Sequence, residues 1–186
     1  MPEAPTGIVT LVFTDIQGAS ALWNEATDPA EEAFRIHAKL FRDLLGEYRG
    51  TEIKNEADTF LLSFDEPLDA VRWCLAAQES LLTASWPEAL LDQEHAREEH
   101  ALDGTLLHRG LRVRMGVDRG RPESFVDPVT GQQDLRGPVV HRTQQVATAA
   151  HGGQVLLTTT IWTLVRGQLT ASTTSLGPHR IREIEG

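Results

Sequence analysis

The feature that most constrains this chain is the order in which its hydrophobic periods change. Gly7 to Thr14 is a short, β-branched, mostly apolar run, the pattern of a strand buried on both faces. Asp28-Pro29 then reads as a helix N-cap followed by a proline at the first helical position. Phe34, His37, Ala38, Phe41, Leu44, Leu45 and Tyr48 follow at helical spacing, and Gly50 ends the segment. Thr51–Lys54 and Thr59–Phe64 read as two strands joined by the tight turn Asn55-Glu56-Ala57-Asp58. Asp65 and Pro67 open a second helix, with Leu68, Val71, Leu75, Leu81 and Leu82 on its inner face, and Gly110–Val117 alternates as a further strand. The sum is βαββαβ, the split pattern of a ferredoxin-like α+β sheet.

A polar insert from about 85 to 109 separates the second helix from that last strand. It holds Trp86-Pro87 and the charged run Asp92–His100, whose Glu94–Glu99 stretch is expected to be a solvated helix face. Beyond it come a long loop with Pro122, Pro128 and Gly131, a helix after Gly137-Pro138, a strand at Gln154–Leu157, a short helix near Ile161–Val165 and a last strand near 179–184. This further helix-strand unit extends the core, so 6–186 reads as one domain. The start lacks a signal-peptide pattern, no apolar run is long enough for a membrane span, and one cysteine (Cys74) in an apolar helical pattern reads as a buried thiol. A cytoplasmic domain without membrane contact is expected. Lys+Arg 17 against Asp+Glu 27 leaves a net charge of −10, which argues against nucleic acid as a partner. The histidines of the insert (His95, His100, His108) lack zinc-ligand spacing, while His37 and His151 read as structural and Trp86 and Trp162 as core.

The topology itself brings two carboxylates together. In a βαββαβ sheet the first and third strands are antiparallel neighbours at the centre. Asp15 ends the first and Asp58 begins the third, so both land at one sheet edge. With the backbone carbonyl of Ile16 they make a hard-oxygen site suited to magnesium or manganese, which keep positions open for substrate phosphates. Taken singly, either aspartate would sooner be read as a turn residue.

These residues resemble those of the class III nucleotidyl cyclases. Val9–Trp23 is similar to the family's opening motif, Glu52–Phe60 to its second metal motif, Leu111–Val117 to the next strand and Asp134–Arg142 to the substrate motif. Ala149–Leu157 and Leu176–Ile181 complete a collinear series. Trp73-Cys74, Trp86-Pro87 and Asp127–Thr130 look most like the fungal and trypanosomal adenylyl cyclases.

The resemblance implies a dimer, homo- or heteromeric, with sites shared across the interface and ATP as substrate. It implies two magnesium or manganese ions per site on Asp15, Asp58 and the Ile16 carbonyl. Lys54 and Asp134, from the other subunit, would read adenine, and Arg182 stands near the family's phosphate-binding lysine.

Departures accompany the matches. Where the family has a ribose-orienting asparagine and a transition-state arginine, this chain has His141 and Gln145. Glutamine cannot replace a permanent cation with a rigid donor fork. Arg142 points about 100° away from His141 around the helix, leaving Arg136 and Arg119 as local candidates to compensate. Ala57 replaces a glycine, and Asp118-Arg119-Gly120 replaces a histidine-threonine-glycine turn. Three readings follow: a slow cyclase making cyclic AMP and pyrophosphate, an inactive nucleotide-binding or regulatory module (or half of a heterodimer), and a palm-type polymerase or dinucleotide cyclase. The last lacks the adenine-reading pair and the later motifs.

Overall fold

The first apolar run becomes the strand on which everything else is built. A computed structural model describes residues 7–128, 131 and 133–179. In it β1 (Val9–Ile16) is followed by α1 (Ala19–Glu25), α2 (Thr27–Glu47), the hairpin β2 (Thr51–Glu56) and β3 (Thr59–Phe64), and α3 (Pro67–Thr83). Then come α4 (Glu88–Leu91), β4 (Glu99–His100), β5 (Leu106–His108), β6 (Val113–Gly120), β7 (Glu123–Val126), β8 (Gln133–Arg136), α5 (Pro138–Thr148), β9 (Val155–Leu157) and α6 (Thr159–Val165). The main sheet runs β2-β3-β1-β6-β9, antiparallel except for β6 with β9. The expected βαββαβ core and its helix-strand extension are present.

Strand alternation sorts β1 between two layers. Val12 and Ile16 face a large core with Phe41, Phe60, Leu62, Phe64, Trp73 and Cys74, contributed by α2, α3 and the sheet. Val9 and Leu11 face a smaller core with Leu61, Leu135 and Val139, where β8 and α5 cover the other side. Gly116 makes this second layer possible. A Cβ there would lie 2.3 Å from the Ala147 nitrogen and 2.7 Å from the Thr143 carbonyl, so only glycine lets α5 lie on β6. Cys74 is wholly buried and burial pushes its thiol pKa up, as expected of an inert core residue.

Several expectations are corrected. α2 begins at Thr27 with Ala26 as its N-cap residue, so Asp28 and Pro29 lie inside the first turn. The reason is α1, which the apolar pattern concealed. It runs almost directly into α2, Ala26 being the single break, and Thr27 Oγ1 donates back to the Trp23 carbonyl at 2.8 Å. The strand expected at 110–117 is displaced to β6. Glu94–Glu99 is no helix but a set of turns leading into the β4–β5 hairpin. Trp86 and the fully buried Leu90 and Ala96 draw that insert into the main core, and Trp86 Nε1 donates to the Leu81 carbonyl at 2.9 Å. The loop after β6 contains the β7–β8 hairpin. Trp162 is 37 % exposed rather than buried, because Ile161 and Val165 supply the inner face of α6. The last expected strand, near 179–184, falls on residues of which only His179 is described. No helix among the described residues is long and apolar enough to cross a membrane.

His37 is structural, at a cost. Its ring is wholly buried against Phe41 (centroids 4.1 Å apart) and Phe60 (5.5 Å), and neither ring nitrogen has a hydrogen-bond partner. Burial first, and then the charge of Arg42, lower its pKa to about 3 from 6.5. The folded protein therefore keeps His37 neutral where the unfolded chain protonates it, below about pH 6.5. Stability should be full above that pH and fall as the pH drops toward 3, by up to about tenfold in the folding equilibrium per pH unit. Urea denaturation at pH 7 and pH 5 should show this loss in the native chain and a much smaller one in His37→Phe.

Candidate active site

Register delivers the carboxylates. Asp15, next to last in β1, pairs with Thr59 of β3 on one side and Arg114 of β6 on the other. Ile16 N donates to the Asp58 carbonyl at 3.2 Å, which ties the end of β1 to the β2–β3 turn. The charge of Asp58 is felt at Asp15. Burial pushes the Asp15 carboxyl pKa above the usual carboxylate range, and Asp58 adds to that push against the opposing pull of Arg114. Two acidic side chains thus converge at one sheet edge, as the topology predicts.

Arg114 is the residue that sequence reasoning missed. Its guanidinium grips Asp15 Oδ2 through Nε and Nη2, and its Nη1 donates to the Thr148 carbonyl at the end of α5 at 3.3 Å. Alternation alone put Arg114 on one face of its strand. Only the β1–β6 register puts it beside Asp15. A positive group already faces this carboxylate where it needs a counter-charge, and the oxygen donors of Asp15 and Asp58 suit a hard divalent cation. No cluster of three or more His, Cys, Asp or Glu side chains assembles a metal cage among the described residues. Such a cation would therefore complete its shell with backbone carbonyl, water or substrate oxygens.

A second set of residues lies on β2, β8 and α5. Lys54 Nζ is 3.2 Å from Asp134 Oδ2 and 2.9 Å from Glu56 Oε1. Its pKa is raised, first by the hydrogen bond to Glu56 and then by Asp134. The other Asp134 oxygen, Oδ1, accepts from Leu135 N at 2.7 Å. A bulge in β2 between Glu52 and Lys54 sets Lys54 opposite Leu61, toward the α5 and β8 side of the sheet. Lys54 also lines an open groove of about 680 Å³ along β2, with Arg42 and residues 50–55, which includes neither Asp15 nor Asp58. The Lys54–Asp134 pair and the carboxylate edge lie on the same side of the sheet, joined through the β2–β3 hairpin.

His141 is exposed and Gln145 half-buried, one turn apart on α5. The neighbouring arginines are engaged. Arg142 Nε donates to Asp118 Oδ2 at 2.6 Å. Arg136 pairs with Glu123 at 3.2 Å and lies over the Phe125 ring. Arg119 donates to Thr10 Oγ1 and the Asp65 carbonyl, at the end of β1 opposite Asp15. Arg182 lies outside the described residues.

Residues 1–184 match the family described as the adenylate and guanylate cyclase catalytic domain. An adenylate cyclase of Mycosarcoma maydis is 43 % identical over 152 residues, 82 % of this chain and 6 % of that protein. One of Schizosaccharomyces pombe is 34 % identical over 181 residues, 97 % of this chain and 11 % of that protein. The chain thus spans a small fraction of these relatives' length. Among solved structures, an adenylate cyclase of Trypanosoma brucei, described in its monomeric state, superposes with a TM-score of 0.83 at 29 % identity, covering 100 % of this chain and 87 % of that one.

The turn that carries Asp58 is strained. Ala57 has φ 49°, in the left-handed region, where a Cβ costs roughly 1–2 kcal/mol that glycine avoids. Part of that difference is offset by the greater freedom of glycine in the unfolded chain. Ala57→Gly should stabilise the protein by about 1 kcal/mol or less, read as a higher midpoint in chemical denaturation with an unchanged slope.

Proposed function

This chain belongs to the adenylate and guanylate cyclase catalytic-domain family, and we propose that it converts ATP to cyclic AMP and pyrophosphate, slowly by itself, at sites shared between two cyclase domains. The observation that carries the choice of ATP is the Lys54–Asp134 pair at 3.2 Å. Held together, the ammonium donates to an adenine ring nitrogen and the carboxylate accepts from the exocyclic amine. Guanine, with a carbonyl in place of that amine, would set acceptor against acceptor.

In this reading Asp15, Asp58 and the Ile16 carbonyl hold two magnesium or manganese ions. Bound there, the ions would supply an activated ribose 3′-hydroxyl and a neutralised triphosphate. The chain's own groups do the rest. Arg114, relieved of Asp15, turns its guanidinium fork to phosphate oxygens. His141 donates one hydrogen bond to a ribose oxygen, and Arg182 adds positive charge near the triphosphate. Gln145 offers a neutral amide where developing charge calls for a cation. The loss of such a stabiliser costs roughly a hundred- to a thousandfold in rate. As the family resemblance implies, a second domain completes each site, either a copy of this chain or a different cyclase domain.

A second reading rests on the same departures. With His141 and Gln145 in place of asparagine and arginine, the domain would bind nucleotide and dimerise without turning over, or lend Asp15 and Asp58 to a partner that supplies both missing groups.

Cyclic AMP formation by the purified protein with ATP and manganese, beside Asp58→Ala, separates the two. Slow product that vanishes in Asp58→Ala is expected, whereas no product above that control favours the binding module. His141→Asn combined with Gln145→Arg should raise turnover by at least about one order of magnitude. No gain with fold and metal binding intact would overturn this account of the slow rate.

A further inference from the structure

Asp118 departs from the family pattern, and the proposed chemistry leaves it without a role. It is 1 % exposed on β6, on the face that meets α5. Its Oδ2 accepts from Arg142 Nε at 2.6 Å and its Oδ1 from Thr158 Oγ1 at 2.9 Å. Thr158 is the N-cap residue of α6, so this one carboxylate joins β6, α5 and the start of α6.

The junction matters because of what α5 rests on. At Gly116 the helix backbone lies directly on the strand, with no side chain between them. At Gly116 the helix meets no side-chain ridge, and its apolar packing on this side comes from Val139, against Gly120 and the smaller core. Thr143, the buried hydroxyl on that helix face, bonds its own Val139 carbonyl and does not reach the strand. Among the described residues, side-chain hydrogen bonds join α5 to β6 at two places, Arg142 to Asp118 and Arg114 Nη1 to the Thr148 carbonyl. The second is given up if Arg114 turns to phosphate. The first remains, and Arg142 lies between His141 and Gln145.

We propose that Asp118 is a positioning residue for nucleotide: through Arg142 it fixes the rotational setting of α5 and so the aim of His141 and Gln145. This rests on reading α5 as the helix that faces ribose and phosphate. A buried carboxylate with bonds on both oxygens does not follow solvent fluctuations, whereas the guanidinium it holds is 49 % exposed and would otherwise be loose.

The test is calorimetric binding of α,β-methylene-ATP, which cannot react, with manganese, to the whole chain and to five variants. Asp118→Asn and Arg142→Met should each weaken binding about tenfold, and the double variant no further, because both break one link. Arg142→Lys should recover part of the loss. Thr158→Val removes the other bond to Asp118 while sparing Arg142, so it should lower thermal stability and leave affinity unchanged. Native affinity in Asp118→Asn and Arg142→Met overturns the proposal, as does an equal loss in Thr158→Val, which would make the cluster merely structural. Tighter binding in Asp118→Asn also overturns it, since Asp118 would then be withholding Arg142 from phosphate. Absence of binding by the native chain overturns the nucleotide reading itself and this proposal with it. Native binding with unchanged variants overturns this proposal alone.

Discussion

The antiparallel pairing of β1 with β3 and β6 is the constraint on which the rest depends. One register sets Asp15 beside Thr59 and Arg114, ties Ile16 to Asp58, and divides the side chains of β1 between two layers. A slip of one residue in either pairing would turn Asp15 into the aromatic core and bring Ile16 to the edge. Val12 and Ile16, wholly or almost wholly buried under α2 and α3, oppose that slip. Hydrophobic burial on one face thereby sets the position of charge on the other.

Charge on that face is organised in opposed pairs. Arg114 balances Asp15, Lys54 balances Asp134, and Arg142 balances Asp118. In a chain of net charge −10, these local cations let carboxylates sit partly or wholly out of water. The pairs differ in how they can be used. Lys54–Asp134 presents a donor beside an acceptor. Arg114 occupies the carboxylate that, in the proposed reading, a metal would take. Arg142 is held by a carboxylate that is itself almost wholly buried.

How much could be read in advance depends on the range of each interaction. The convergence of Asp15 and Asp58 was legible because strand order implies it. The pairing of Lys54 with Asp134 came only as an implication of resemblance, since a bulge in β2 and a hairpin eighty residues away must meet. The place of Arg114 is not legible in the sequence, because alternation assigns a face but not a neighbour. The compensating roles open to Arg136 and Arg119 could be weighed only once each was seen bonded elsewhere. The packing of the insert is not legible because its charged run hides Ala96, one small residue that the core takes in.

By itself, the sequence determined the βαββαβ order, the two carboxylates at one edge, the buried thiol and the absence of an arginine at Gln145. These depend on period, order and residue identity, which are local properties of the chain. Only the tertiary structure decided that Ala57 bears a left-handed backbone, that His37 is buried without partners, that Arg114 covers Asp15 and that Asp118 fastens α5. Each of these depends on register or on the close approach of distant segments. No short-range pattern encodes such contacts, because the groups that meet are chosen by packing across the whole sheet.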